Sequence, residues 1–183
     1  MYDIGMRWKR GGRPGLIVFA AVLLALVAAL KVANWLPTAV QKGALQSYGD
    51  IEEMKRALNF KEVRVPSYFP ESVSWPPSAI LAQGRPFKAV LLEFSRAGDE
   101  GPVLVITQSA SAGFPPSPPI RLSEVSERID YDLRETTALL EVGLCPDGAR
   151  CSRISWQEGG YRFSVAMRAA PFDLVRIAHS MGG

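Results

Sequence analysis

Residues 152–168 read SRISWQEGGYRFSVAMR, and this stretch decides the fold. Its centre, QEGG, is a turn sequence, so the segment predicts a β-hairpin. In the second arm the side chains at 161, 163, 165 and 167 are apolar, and they alternate with Arg162, Ser164, Ala166 and Arg168. Alternation with a period of two predicts a strand with one buried face and one solvated face.

A helix is predicted directly after the hairpin. Pro171 is tolerated in a first helical turn, and Leu174, Ile177, Ala178 and Met181 form an apolar stripe before Gly182. A second helix is predicted from Asp50, with Glu53 completing a capping-box pattern. Further strands are predicted at 78–81, 88–95, 102–109 and 134–142. Together these elements predict an α+β domain, an antiparallel sheet with helices packed on one face.

The N-terminus predicts a single transmembrane helix. Residues 16–36 are apolar except for Lys31 and Asn34, and about 21 helical residues span roughly 32 Å, enough for a bilayer core. Basic residues precede the apolar run, and such flanks stay in the cytoplasm. The N-terminus is therefore expected inside, and the rest of the chain outside the inner membrane. The predicted anchor residues are Arg10, Arg13, Leu16, Leu30, Lys31 and Trp35.

A cleavable signal peptide is the alternative, with Val27 and Ala29 at a small-residue cleavage site. The apolar run is long for such a peptide, which favours the anchor. The resulting division is a cytoplasmic basic tail at 1–15, a transmembrane helix at 16–37, a helical stalk at 38–61 and an extracytoplasmic α+β domain at 62–183.

Cys145 and Cys151 are the only cysteines of the chain. Outside the cytoplasm, paired cysteines usually form a structural disulfide. The spacing lacks the C-x-x-C of a thioredoxin-like pair and the C-x-x-C-H of a haem tether, and one histidine adds too few ligands for a closed zinc site. The turn-forming Pro146, Asp147 and Gly148 lie between the cysteines, so a disulfide is predicted.

Charge and motifs argue against nucleic-acid binding and against catalysis. The chain carries a net charge of +3, but residues 1–37 hold five basic residues and one acidic residue. The remainder carries sixteen basic and seventeen acidic residues and is nearly neutral, unlike a nucleic-acid surface. His179 has no nucleophile motif beside it, and no phosphate, calcium or dinucleotide fingerprint is present. No enzyme activity, cofactor, metal or small-molecule substrate is predicted.

Three segments carry a family resemblance: VPSYFP (65–70), ISWQEGGYRFSVAM (154–167) and PFDLVRIAHSM (171–181). Over residues 62–182 the chain resembles a bacterial extracytoplasmic domain of unknown function that also follows the membrane helix of some anti-sigma factors. It is distantly similar to lipoprotein-carrier and sigma-regulator folds. The resemblance implies no catalytic residues. About fifteen residues without His or Cys precede the apolar run, so the sigma-binding domain of those factors is not expected here.

These features predict a non-catalytic, single-pass accessory subunit of a larger bacterial membrane complex, such as a respiratory or photosynthetic one. An extracytoplasmic sensor or regulator and a lipid- or lipoprotein-handling module are the alternatives. Stiff proline-rich segments with aromatic side chains lose little entropy on binding, so they are the expected contact with a partner subunit. The predicted docking residues are Tyr68, Phe69, Trp75, Pro76, Pro77, Phe114, Pro115 and Pro116.

Overall fold

The computed structural model describes residues 19, 22–27, 30–31, 45–98, 101–115 and 117–182. The chain divides into two compact units, residues 1–42 and 43–183. In the first unit the described residues are helical, Leu30 and Lys31 among them. Within the described residues, no helix is both long and apolar enough to cross a membrane.

Most of the predicted transmembrane helix lies outside the described residues. This holds for the anchor residues Arg10, Arg13, Leu16 and Trp35 and for the first part of the stalk, 38–44. The membrane anchor therefore stays a prediction.

The described residues of the second unit form eight strands and two helices. They are β1 (Gln46–Tyr48), α1 (Ile51–Leu58), β2 (Ala79–Gln83), β3 (Ala89–Phe94), β4 (Leu104–Ser109), β5 (Glu124–Leu133), β6 (Thr136–Leu144), β7 (Arg150–Glu158), β8 (Tyr161–Met167) and α2 (Pro171–Ser180). The strands make one open sheet in the order β1-β2-β3-β4-β8-β7-β6-β5. Every neighbouring pair is antiparallel.

The two helices pack on the same face of the sheet. Met54 of α1 and Leu174 and Ile177 of α2 belong to one buried cluster, which includes Phe163 of β8. Phe163 stacks on Trp156 of β7 with ring centroids 5.2 Å apart, so the predicted hairpin supplies the centre of this core. Aromatic pairs of this kind add about 1 kcal/mol beyond the burial of their surface.

The start of α1 follows from local chemistry. Asp50 is its N-cap, and its carboxylate accepts a hydrogen bond from the Glu53 N–H at 2.6 Å. The Glu53 carboxylate reaches back to the Gly49 N–H at 2.9 Å. The first bond satisfies a backbone donor that a helix start leaves without a partner, as the capping-box pattern predicts. The return bond differs from that pattern, since it reaches Gly49, one residue before the N-cap, instead of the Asp50 N–H.

The opposite face of the sheet has a smaller core of its own. Residues 111–115 and 117–122, here called the proline-rich strap, contribute Phe114 and Ile120 to a cluster with Leu91, Val105 and the disulfide. Ala166, on the predicted solvated face of β8, is buried in this cluster. The prediction that the second face of β8 is solvated is therefore wrong at Ala166, because the strap covers the sheet there.

Two strands differ from the sequence prediction. In the predicted helical stalk, 38–61, Gln46–Tyr48 are not helical, since they form β1 and pair with Ile80–Ala82. The helix predicted from Asp50 is present as α1. β5 occupies Glu124–Leu133, where no strand was predicted. β5 is an edge strand with most of its side chains exposed on both faces, so it lacks the apolar alternation that identifies a half-buried strand.

Candidate docking surface

Trp75 is the best-defined exposed aromatic residue in the predicted docking set. Its side chain is 56% exposed. The ring nevertheless stacks over Phe94, 6.2 Å between centroids, and contacts Phe69 at 5.4 Å. Phe94 is fully buried in the helix-side core. The indole therefore packs on Phe69 and Phe94, and the rest of its surface is exposed to solvent.

A groove of about 590 Å³ lies beside this indole. Trp75, Pro76 and Pro77 line it together with residues from the start of α1. Its apolar lining includes Ile51 and Ile80, and its charged lining comes from the first turns of α1. There Lys55 pairs with Glu52 at 2.7 Å. An apolar depression with a charged border is typical of a contact site for a protein partner.

Tyr68 and Phe69 support this surface from the sheet side. The Tyr68 hydroxyl donates to the Asp173 carboxylate at 3.0 Å, and its N–H donates to the Ser180 hydroxyl at 3.2 Å. Partial burial and the bond to Asp173 raise the pKa of the Tyr68 hydroxyl. Phe69 is half-buried, 5.1 Å from the Phe94 ring. The two residues tie the segment to α2 and to the core.

Phe172 is a further exposed aromatic residue, connected to Tyr68 through Arg176, and was not among the predicted residues. It is 74% exposed on α2. The Arg176 guanidinium lies 5.9 Å from the Phe172 ring and 4.0 Å from the Tyr68 ring, so the two aromatic rings share one cation. The sequence contained a signal for it, because the stripe at 174, 177, 178 and 181 leaves position 172 off the buried side of the helix. We call Tyr68, Phe69, Trp75, Phe172 and Arg176 the aromatic surface.

Phe114 and Pro115 do not join this surface. Phe114 is half-buried, belongs to the cluster on the opposite face and contacts the Phe87 ring edge-on at 6.2 Å. Pro115 is half-buried as well, and Pro116 lies outside the described residues. The segment that contains Trp75 and the strap that contains Phe114 thus lie on opposite faces of the sheet. They do not form one continuous docking surface.

The disulfide joins Cys145 and Cys151, with their Cα atoms 5.6 Å apart. The turn between them closes through the Gly148 N–H, which donates to the Cys145 carbonyl at 2.9 Å. Asp147 pairs with Arg168 of the neighbouring strand segment. The Arg168 guanidinium and the Ala149 N–H hold the pKa of the Asp147 carboxyl below its ordinary value. Both cysteines are buried against the strap, so the disulfide is also part of the second core.

The side chains that could serve catalysis are dispersed. His179 is exposed at the end of α2, with its Nε2 3.0 Å from the Tyr131 hydroxyl. Asp130 and Asp132 are exposed on the edge strand β5. In the described part of the chain, no three His, Cys, Asp or Glu side chains cluster as a metal site would require.

Comparison of the chain with family models, with curated proteins and with solved structures gave no match. The resemblance to the extracytoplasmic domain of anti-sigma factors therefore stays a prediction.

Proposed function

We propose that this chain is a non-catalytic accessory subunit of a larger bacterial membrane complex, anchored by its N-terminal apolar segment. Its sheet domain lies outside the inner membrane and docks on a partner subunit through the aromatic surface. The disulfide supports a location outside the cytoplasm, because such bonds persist where the environment is oxidising. A respiratory or photosynthetic complex is the setting that we propose for it.

The exposure of Trp75 carries the proposal. A large aromatic side chain that remains in water forgoes the burial that would stabilise it by about 1.5–3 kcal/mol. Trp75 is nevertheless fixed by Phe69 and Phe94 and followed by two prolines, so little further ordering is needed when a partner covers it. Tryptophan and arginine are the residues most enriched at binding hot spots, and the aromatic surface contains both.

The packing of α2 weighs against the lipid-handling alternative on this face. Leu174, Ile177 and Ala178 are completely buried between the helix and the sheet. An acyl chain would have to displace these side chains, since the interior of a protein is close-packed. The other alternative is a regulator that signals through the membrane. The experiment below distinguishes it from an accessory subunit of a stable complex.

The experiment is extraction of the full chain from native membranes in mild detergent, with an affinity tag after Gly183, followed by size-exclusion chromatography. Co-elution with other subunits in constant stoichiometry is the expected result, and the identity of those subunits then names the process. Elution as a single chain in its detergent belt, from membranes that contain the intact native complexes, would contradict the proposal.

A further inference from the structure

A groove of about 370 Å³ lies between the proline-rich strap and the face of the sheet opposite the helices. Phe114 and Ile120 from the strap line it, as do Arg121, Arg153 of β7 and Ser164 of β8. This volume is at the small end of the range for ligand sites. The groove therefore combines apolar walls with two guanidinium groups and a hydroxyl.

A buried carboxylate fixes one of these guanidinium groups. The Glu141 side chain of β6 is only 3% exposed. Its register partners are Arg128 of β5 and Arg153 of β7. Its Oε1 accepts from the Arg128 Nε at 3.0 Å, and its Oε2 accepts from the Arg153 Nε at 2.8 Å and from the Arg153 Nη2. Arg153 is thus held in one geometry while its side chain remains partly exposed.

The ion cluster of Arg128, Glu141 and Arg153, taken together with Arg121 of the groove lining, carries a net positive charge. Glu141 carries one negative charge against the two positive charges of Arg128 and Arg153, and Arg121 adds a third positive charge. In the described part of the chain, Arg121 and the Ser164 hydroxyl make no side-chain hydrogen bond, and Arg121 has no ion pair. Burying a carboxylate costs several kcal/mol even when it is paired. Here the buried carboxylate of Glu141 positions Arg153 in the lining of the groove. The guanidinium donors that Glu141 does not occupy can then bind an anion that enters the groove.

We propose that this groove binds a small organic carboxylate with an apolar body. The carboxylate lies between Arg121 and Arg153: the guanidinium fork of Arg121 matches its two oxygens. Arg153, whose Nε and Nη2 already donate to Glu141, adds the donors that Glu141 leaves free, and Ser164 supplies a hydroxyl donor. The apolar body packs on Phe114 and Ile120. This site lies on the face opposite the aromatic surface and is independent of the docking role.

Octanoate is the probe, titrated below its micelle concentration into the full chain in a non-ionic detergent. Binding is followed through the ¹⁵Nε resonances of the arginine side chains. Saturable shifts of the Arg121 and Arg153 resonances are expected with octanoate, with weaker binding of acetate, which lacks the apolar body. Equal binding of octan-1-ol, or shifts spread over all arginines without saturation, would overturn the proposal.

Arg121→Ala tests the site without disturbing the fold, since Arg121 is exposed. It should weaken octanoate binding about tenfold, because a charge-assisted contact is lost. Arg153→Lys keeps the charge and a contact to Glu141 but removes the fork, and should also weaken binding. Arg150→Ala, at an exposed position of β7 outside the groove, is the matched control. Unchanged affinity in Arg121→Ala would assign the binding elsewhere and contradict the site.

Discussion

At the scale of single residues, two kinds of interaction stabilise the domain: those between neighbours in the chain, and those between residues that meet only in the sheet. The disulfide spacing, the Asp50 cap and the Pro171 helix start each depend on groups a few residues apart, and the structure contains all three. The ion triad around Glu141 was not predicted, because its members lie on three strands and meet only through the sheet register. Phe172 was overlooked although the helical stripe placed it away from the core.

Removal of the disulfide should weaken the domain without altering its partner binding. The double variant Cys145→Ser/Cys151→Ser is expected to lower the free energy of unfolding by about 2 kcal/mol, since the bond closes a short loop. Urea denaturation measures the loss, and a thiol assay on the unfolded, unreduced wild-type protein is the companion measurement. Two free thiols in that assay, or no change in stability, would contradict the assignment.

Asp147 should make the domain less stable in acid. Its folded pKa is lowered by Arg168 and by the Ala149 N–H, so the ionised form is favoured in the folded state. The stabilisation is present above about pH 4, the range of an ordinary aspartate, and is lost as the pH falls through the lower folded pKa. Asp147→Asn should reduce the difference in unfolding free energy between pH 7 and pH 3. Asp132→Asn, an exposed aspartate of β5, is the control, and equal slopes in wild type and Asp147→Asn would refute this role.

At the scale of elements, the helices and strands with a periodic pattern of apolar residues could be predicted, and those without such a pattern could not. β8 and α2 carry regular apolar patterns and were predicted from them. β5 reads EVSERIDYDL and lies at the edge of the sheet with polar side chains on both faces, so its pairing with β6 is set by tertiary structure. β1 has three residues and pairs with the edge of β2. So short a strand has no recognisable pattern in the local sequence.

The β5–β6 pairing depends on Gly143. A Cβ at this position would lie 1.9 Å from the Glu124 carbonyl oxygen, and a backbone atom cannot yield as a flexible side chain can. Gly143→Ala should therefore lower the free energy of unfolding by about 1–3 kcal/mol. Gly113→Ala is the matched control, because a Cβ there has no atom within 4 Å. Equal melting temperatures of Gly143→Ala and Gly113→Ala would contradict the close approach of the β5 backbone to Gly143.

At the scale of the whole domain, the sheet separates two surfaces. The helix face carries the main core, and the aromatic surface lies at its border. The opposite face carries the strap, the disulfide and the charged groove. Sequence reasoning identified both proline-rich segments, but it could not assign them to different faces, because that depends on which strand each segment follows in the sheet order.

The most direct test of the account combines association with stability in one variant. Trp75→Ala/Phe172→Ala should lose co-elution with the partner subunits while its melting temperature falls by only about 5 °C or less, since both side chains are more than half exposed and Trp75 loses only its ring contacts with Phe69 and Phe94. Ile129→Ala, an exposed apolar residue on β5, should retain both properties. Undiminished co-elution of the double variant, or a large fall in its melting temperature, would contradict the claim that the aromatic surface is a docking site.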